Sequence, residues 1–397
     1  MTHQNKTKNM LKFQFFSFYT MSSLSSSNLQ QTIKTGITIA AAVAGGYALA
    51  HMVAAMKAIF KTGNITDSSL HVSTPSSSSS LSTVSLSNTN TNILSTQPNR
   101  DFTDKVVLIT GASSGIGQMV AKLYAKRGAT LIIHYNQNYA GIQQTYNDCL
   151  QLGAKHIYII QCDLTGKSLV NTPINNPDNL PLAAYAAQQL ITTAIQKYNR
   201  IHILINNAGV YEELPFDNPN TTLSNFCNVW NKTIDLNLNG PAYLAFLVAK
   251  HMVQIHNTQY NPYIQNNQNS NNSSLPNEAR IGAIVNVGSR GAIRGEPQAW
   301  YYGASKAGLH SLSQSMAIAL GKYGISITSI APGFVQTPMA EPVLQSSLGP
   351  AIKNQSPWQR VGTVEEVSET ILFLSQYWLV PWLTGGIIDC NGASYVH

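Results

Sequence analysis

Tyr302 and Lys306 stand four residues apart in the segment Tyr302-Gly-Ala-Ser-Lys306, and that spacing places both side chains on one face of any helix that contains them. A tyrosine hydroxyl with an ordinary pKa near 10 is a poor proton-transfer group at neutral pH. A neighbouring ammonium favours the phenolate and tunes the pair toward general acid–base work. Tyr301, five residues before Lys306, would point well around the same helix, so the spacing selects Tyr302. A second stretch, Thr110-Gly111-Ala112-Ser113-Ser114-Gly115-Ile116-Gly117, carries three glycines where an apolar run gives way to a helical pattern. Glycines there permit a tight turn and close approach of backbone to phosphate, and a helix N-terminus favours negative charge, which together suit a dinucleotide pyrophosphate. Taken singly, each motif has an ordinary alternative: a surface tyrosine, a solvated lysine, a glycine-rich turn that binds nothing.

These residues need elements to position them. Residues 105–110 form a short, β-branched, apolar run of the kind buried on both faces of a parallel sheet. Residues 119–127 follow with apolar residues at helical spacing, and Lys126, Arg127 and Gly128 supply cations and a stop. Further strand patterns fall at 130–135, 156–161, 201–206, 281–288, 325–330 and 386–390, with helical stretches between most of them. Such alternation predicts an α/β protein, a Rossmann-type doubly wound parallel sheet in a single catalytic domain over residues 100–397. Two stretches, 166–181 with three prolines and 255–277 dense in Asn and Gln, read as surface insertions.

With both motifs in place, residues from about 103 to 397 resemble the short-chain dehydrogenase/reductase family, in its subfamily with the T-G-x-x-x-G-x-G fingerprint. Four further segments carry the resemblance in order: Asn206-Asn207-Ala208-Gly209, Leu236-Asn237-Leu238-Asn239-Gly240, Asn286-Val-Gly-Ser289 and Pro332-Gly333-Phe-Val335-Gln-Thr337. The resemblance implies that Tyr302 is the general acid/base and that Lys306 holds the nicotinamide ribose while lowering the tyrosine pKa. It implies that Ser289 hydrogen-bonds the carbonyl oxygen and that Asn237 anchors a water relaying protons from Lys306. By the same resemblance Gly111, Ser113, Ser114, Gly115, Ile116 and Gly117 cradle the pyrophosphate, Tyr135, Asp163 and Leu164 flank the adenosine, Asn207, Ala208 and Gly209 support the cofactor, and Pro332, Gly333, Val335 and Thr337 form the nicotinamide loop.

Cofactor choice rests on charge after the second strand, where an acid would bind the ribose 2′-hydroxyl and repel a 2′-phosphate. That strand ends His134-Tyr135-Asn136-Gln137-Asn138, and no acid occurs between Asp104 and Asp148, which favours NADP(H) over NAD(H). The expected reaction is the interconversion of a small-molecule carbonyl and an alcohol by hydride transfer. The tail from Gln359-Arg-Val-Gly362 to Thr384-Gly-Gly resembles 3-oxoacyl-thioester reductases, while His134-Tyr135 and the stretch after Asp163 resemble pteridine reductases. Specificity is expected around Tyr211 and in residues 292–300 and 339–356. A third reading, of a different class, is a catalytically silent nucleotide-binding scaffold tethered to a membrane.

The first hundred residues differ in kind. No acid precedes Asp67, and residues 37–56 contain no Asp, Glu, Lys or Arg but eight alanines, with Lys34, Lys57 and Lys61 outside. This leader, 1–64, leaves three readings open: a membrane anchor through 37–56, a cleaved organelle-targeting helix, or a poorly structured extension. Residues 65–99, rich in Ser, Thr and Asn, read as a linker. The net charge of +7 sits mostly in residues 1–99, whose six Lys face the single Asp67, so the folded part keeps too small a basic excess to suggest nucleic-acid binding. The cysteines at 149, 162, 227 and 390 show no spacing that would seed a disulfide framework or a zinc site, so no metal is expected and a reducing compartment fits. The family resemblance implies a homodimer or homotetramer.

Overall fold

A computed structural model describes residues 101–169, 175–259 and 280–396; the leader, the linker and most of the Asn-rich stretch lie outside them. Seven parallel strands form one sheet: β1 Val106–Ile109, β2 Thr130–Tyr135, β3 Ile157–Gln161, β4 Ile203–Asn206, β5 Gly282–Val287, β6 Ile325–Pro332 and β7 Ile387–Cys390. Their spatial order is β3-β2-β1-β4-β5-β6-β7. The longer helices are α1 Gly115–Lys126, α2 Tyr139–Gln151, α3 Leu182–Tyr198, α4 Leu223–Ile234, α5 Gly240–Gln259, α6 Trp300–Leu320 and α7 Val364–Leu374.

The continuous apolar strands find a core on each face because successive side chains point to opposite sides. Leu108 pairs in register with Ile132 and Leu204, Leu204 with Ile284, and Ile284 with Ile327. This row packs against α3, α5 and α6, while Ile109, Ile133, Ile205 and Val285 face α1, α2 and α7. Chain order reverses between β1, which runs out toward β2 and β3, and β4, which begins the other half. A crevice therefore opens beyond the carboxyl ends of β1 and β4, where ligands bind in sheets of this type.

Three local findings depart from the sequence reading. Helix α1 starts at Gly115, inside the glycine motif, four residues before its first strong apolar repeat. Helix α5 continues to Gln259 and buries His256, so the Asn-rich stretch begins later than residue 255. Residues 166–181 include a short 3-10 turn, Lys167–Leu169, and end at Pro181, which caps α3. No helix among the described residues is long and apolar enough to cross a membrane; residues 37–56 are not among them.

Candidate active site

A cleft of about 810 Å³ lies across the carboxyl ends of the central strands. Its floor at one end is the glycine turn. Gly111 and Gly115 adopt φ of +66° and +55°, a conformation that side chains rarely tolerate. A Cβ on Gly111 would come within 2.9 Å of the Ala208 backbone, and one on Gly117 within 2.3 Å of the Gly111 carbonyl oxygen. Gly117 is thus a packing glycine, buried beneath the turn, and does not line the cleft. Ser113, Ser114, Gly115 and Ile116 do line it, and Ser114 makes no side-chain cap, so the first N–H groups of α1 are left for a ligand.

The turn is held by its neighbours on both sides. Asn207 donates from Nδ2 to the Thr110 and Gly111 carbonyls at 2.9 and 3.2 Å. Thr110 Oγ1 accepts from the N–H groups of Asn207 and Ala208, each at 3.0 Å. On the other side the buried His134 accepts from the Gly111 N–H at Nδ1, 3.2 Å, and donates from Nε2 to the Cys162 carbonyl at 2.9 Å. Only the neutral ring can do both, and burial pulls its pKa down to about 4.

The other end of the cleft joins two elements. Helix α6 presents Tyr302 and Lys306 to the cleft, and Ser289 follows the end of β5; all three line it. Lys306 is buried, donates to the Val287 carbonyl at 2.8 Å, and sits 5.8 Å from the centre of the Tyr302 ring. Ser289 Oγ accepts from the Gly291 N–H at 3.0 Å, which leaves its proton to donate. Burial lowers the Lys306 pKa to about 8. Burial raises that of Tyr302 to about 12, opposed by its hydrogen bond with Ser289 and assisted by the Glu296 charge. In the polypeptide by itself the expected lowering of the phenol by Lys306 is not found: burial governs the shift, because taking the phenolate out of water is costly.

Asn237 is fully buried on a π-helical turn, Asp235–Asn239, between α4 and α5, and the sequence pattern contained no sign of that turn. Its amide pairs with the Val210 backbone, accepting from N–H at 2.8 Å and donating to the carbonyl at 2.9 Å. It does not line the cleft. A Cβ on Gly209 would lie 3.2 Å from Asn237 Oδ1 and 3.4 Å from Lys306 Nζ, so the small residue lets both approach the loop.

Of the other expected residues, Leu164, Asn207, Ala208, Gly209, Pro332, Gly333, Val335 and Thr337 line the cleft. Thr337 closes over the glycine turn, 3.3 Å from where a Gly115 Cβ would be. Tyr135 and Asp163 do not line it. Tyr135 is buried with its ring tilted against Tyr139, 6.2 Å between centres. Both Asp163 carboxylate oxygens are taken locally, by Thr165 and the Ser168 N–H. Asn136, Gln137 and Asn138 take the corresponding edge. Tyr211, Glu296, Met339 and Leu348 line the substrate end, within the stretches expected to set specificity, but Trp300 stays outside. Arg290 and Glu213 line the cleft as well, and their only sequence signal is that Arg290 follows Ser289 and Glu213 lies two residues after Tyr211. No group of His, Cys, Asp and Glu among the described residues could hold a metal.

The family model described as short chain dehydrogenase matches residues 105–176 and 183–259, and the one described as enoyl-(acyl carrier protein) reductase matches 268–392. The 3-oxoacyl-(acyl-carrier-protein) reductase of Thermotoga maritima is 30% identical over 288 residues, 72% of this chain and 96% of that protein. The L-rhamnose 1-dehydrogenase (NAD(P)(+)) of a Sphingomonas species is 27% identical, covering 74% and 97%. The crystal structure of acetoin dehydrogenase from Salmonella typhimurium superimposes with a TM-score of 0.54 at 26% identity, covering 72% and 94%. The doubly wound sheet, the matching family models and these relatives together make this chain a member of the short-chain dehydrogenase/reductase family, an oxidoreductase acting on CH–OH and C=O groups.

Proposed function

We propose that this protein interconverts a carbonyl and an alcohol with NADP(H), using Tyr302 as the general acid/base. The observation that carries the reading is the convergence of Ser289, Tyr302 and Lys306 on the same cleft as the strained glycine turn. When bound, the dinucleotide supplies hydride transfer at the carbonyl carbon. Tyr302 gives its phenolic proton to the carbonyl oxygen as the alcohol forms and takes it back in the reverse direction. Ser289 donates a hydrogen bond to that oxygen, stabilising the charge that develops there. Lys306, in the folded chain a buried ammonium ion fixed on Val287, supplies positive charge beside the phenol and a donor for the ribose. Asn237 orients the loop at Val210.

The preference for NADP(H) is supported by the edge of the cleft after β2, where Asn136, Gln137 and Asn138 stand with no carboxylate. The carboxylates that line the cleft, Glu213 and Glu296, belong to the substrate end: Tyr211 donates to Glu213 at 3.2 Å and packs edge-on to Tyr302 at 5.0 Å. A 3-oxoacyl thioester is the first substrate class to try, following the Thermotoga relative. Homo-oligomeric assembly and tethering through residues 37–56 belong to the same proposal. The test is oxidation of NADPH and NADH in parallel by the purified protein, with acetoacetyl-coenzyme A and a panel of ketones. Carbonyl-dependent oxidation with NADPH preferred is expected; dinucleotide binding without turnover of any carbonyl would favour the silent scaffold, and failure to bind either dinucleotide would sink the enzyme reading.

A further inference from the structure

Helix α6 carries a third buried group on the stripe that holds Tyr302 and Lys306. His310 follows Lys306 by four residues and is buried, as Lys306 is. Its imidazole does not line the cleft and lies behind the segment that presents Ser289. Nε2 is 3.2 Å from the Ser289 carbonyl oxygen and 3.5 Å from the Ser289 nitrogen, and Nδ1 is 2.7 Å from Ser329 Oγ on β6. In either tautomer, Nε2 bonds to the backbone of Ser289 and Nδ1 to Ser329. Ser329 Oγ in turn lies 3.1 Å from the Asn286 carbonyl of β5. Contact with the intervening residue is equally close: a Cβ on Gly288 would fall 2.1 Å from His310 Cε1, so residue 288 has to be glycine for the ring to sit there.

We infer that His310 is a positioning residue for the reaction, setting the Ser289 hydroxyl relative to the Tyr302 phenol. The two groups belong to different elements, one after the end of β5 and one on α6, and nothing in their local sequence keeps them in register. Helix α6 supplies the register itself. Lys306 holds the Val287 carbonyl at 2.8 Å and His310 holds Ser289, so the helix that bears the phenol also clamps the strand end that bears the hydroxyl. Beyond His310 the stripe continues into Ser313, which accepts from Asn286 Nδ2 at 2.8 Å, and Asn286 Oδ1 accepts from Asn206 Nδ2 at 2.8 Å. The polar backing thus runs from α6 through β5 to β4, in an interior where an unpaired polar group would be costly, which makes the arrangement specific. An apolar side chain at 310 could fill the space but would leave the Ser289 backbone unheld.

This inference rests on Ser289 and Tyr302 acting together, and its test separates the two readings. Turnover of acetoacetyl-coenzyme A with NADPH by the unaltered protein tests the reductase reading. His310 is tested by a double-mutant cycle with Ser289→Ala. A residue acting through Ser289 predicts that His310→Leu lowers kcat about tenfold or more in the unaltered protein, and less than about threefold once Ser289 is alanine. The dissociation constant for NADPH should move less than about threefold in both backgrounds, since the glycine turn is untouched. His310→Gln, whose amide reaches the place of Nε2, should recover part of the loss. Ser329→Ala, which removes the partner of Nδ1 at smaller volume cost, should show the same cycle more weakly and serves if His310→Leu folds poorly. Amide hydrogen exchange over residues 284–292 reads the clamp without turnover and should quicken in His310→Leu. Equal loss of kcat in both backgrounds, or unchanged exchange together with unchanged kcat, would overturn the inference.

Discussion

Lys306 points its ammonium at the carbonyl oxygen of Val287, 2.8 Å away, from inside a site where it is almost wholly screened from water. This contact ties the helix bearing the proposed proton donor to the strand bearing the proposed oxyanion partner. It also holds a charge where the surroundings disfavour one, which sets function against stability.

Replacing that charge should separate the two. The folded pKa of Lys306 is lowered to about 8 from 10.5. A depressed cation contributes fully to stability above the unfolded value and loses its contribution as pH falls from about 10.5 through 8. At pH 7 the whole cost, about 3 kcal/mol by the pKa difference, is therefore present. Lys306→Met should raise the thermal midpoint at neutral pH, less the lost Val287 bond, while turnover falls by about a hundredfold or more. Calorimetry alongside steady-state kinetics checks both; a lower midpoint would refute the stability argument.

Tyr302→Phe keeps the ring that packs edge-on against Tyr211 and removes only the hydroxyl. Turnover should drop by about a thousandfold, within the usual range for a general acid, with NADPH affinity and thermal midpoint nearly unchanged. Retained turnover would exclude Tyr302 from proton transfer.

His134 should confer acid sensitivity. Its folded pKa is lowered to about 4 from 6.5, so its share of stability is present above pH 6.5 and is lost as pH falls toward 4, for a total of about 3 kcal/mol. His202, lowered to about 3, adds loss of the same sign, so His134→Leu should flatten only part of the slope. The same variant should weaken NADPH binding at pH 7, because the Gly111 N–H loses its acceptor. Urea titrations at pH 7 and 4.5 measure the slope.

Gly117→Ala tests packing under the turn without any change of backbone region, since Gly117 is not at positive φ. Its new methyl would meet the Gly111 carbonyl oxygen at 2.3 Å and Asn207 Nδ2 at 2.4 Å. The turn has to shift, and dinucleotide affinity should fall by about tenfold or more, since a displacement of about 1 Å at a positioned site costs that much. Fluorescence titration with NADPH is the measurement.

Asn136→Asp places a carboxylate at the cleft edge after β2. It should repel a 2′-phosphate and accept from a 2′-hydroxyl, moving the ratio of kcat/KM values toward NADH by about tenfold or more. An unchanged ratio would mean that the 2′-position lies elsewhere.

The apolar strand runs at 105–110 and 325–330, the glycine turn and the spacing of Tyr302 from Lys306 were legible in the sequence because each is a local property. A β-branched run facing two helical layers must be apolar throughout, positive φ selects glycine, and four residues make one helical turn. Glu213 and Arg290 were not legible, because side chains near a cleft become its walls only when loops from separate strands meet. Nor does the sequence show that Tyr135 and Asp163 stay out of the cleft lining, since packing turns one ring inward and the other's oxygens bond within its own loop.

What the sequence by itself determined is the set of elements, their order and the proposed reacting groups, since strand pattern, turn chemistry and helical period act over a few residues at a time. Only the tertiary structure decided the state and register of those groups. Burial drives Lys306 down and Tyr302 up in pKa, and it makes His134 a neutral bridge between β1 and β3. It also sets His310 behind Ser289, twenty-one residues away along the chain. Desolvation and hydrogen bonding depend on what surrounds a side chain in three dimensions, and that environment comes from segments far apart in the sequence.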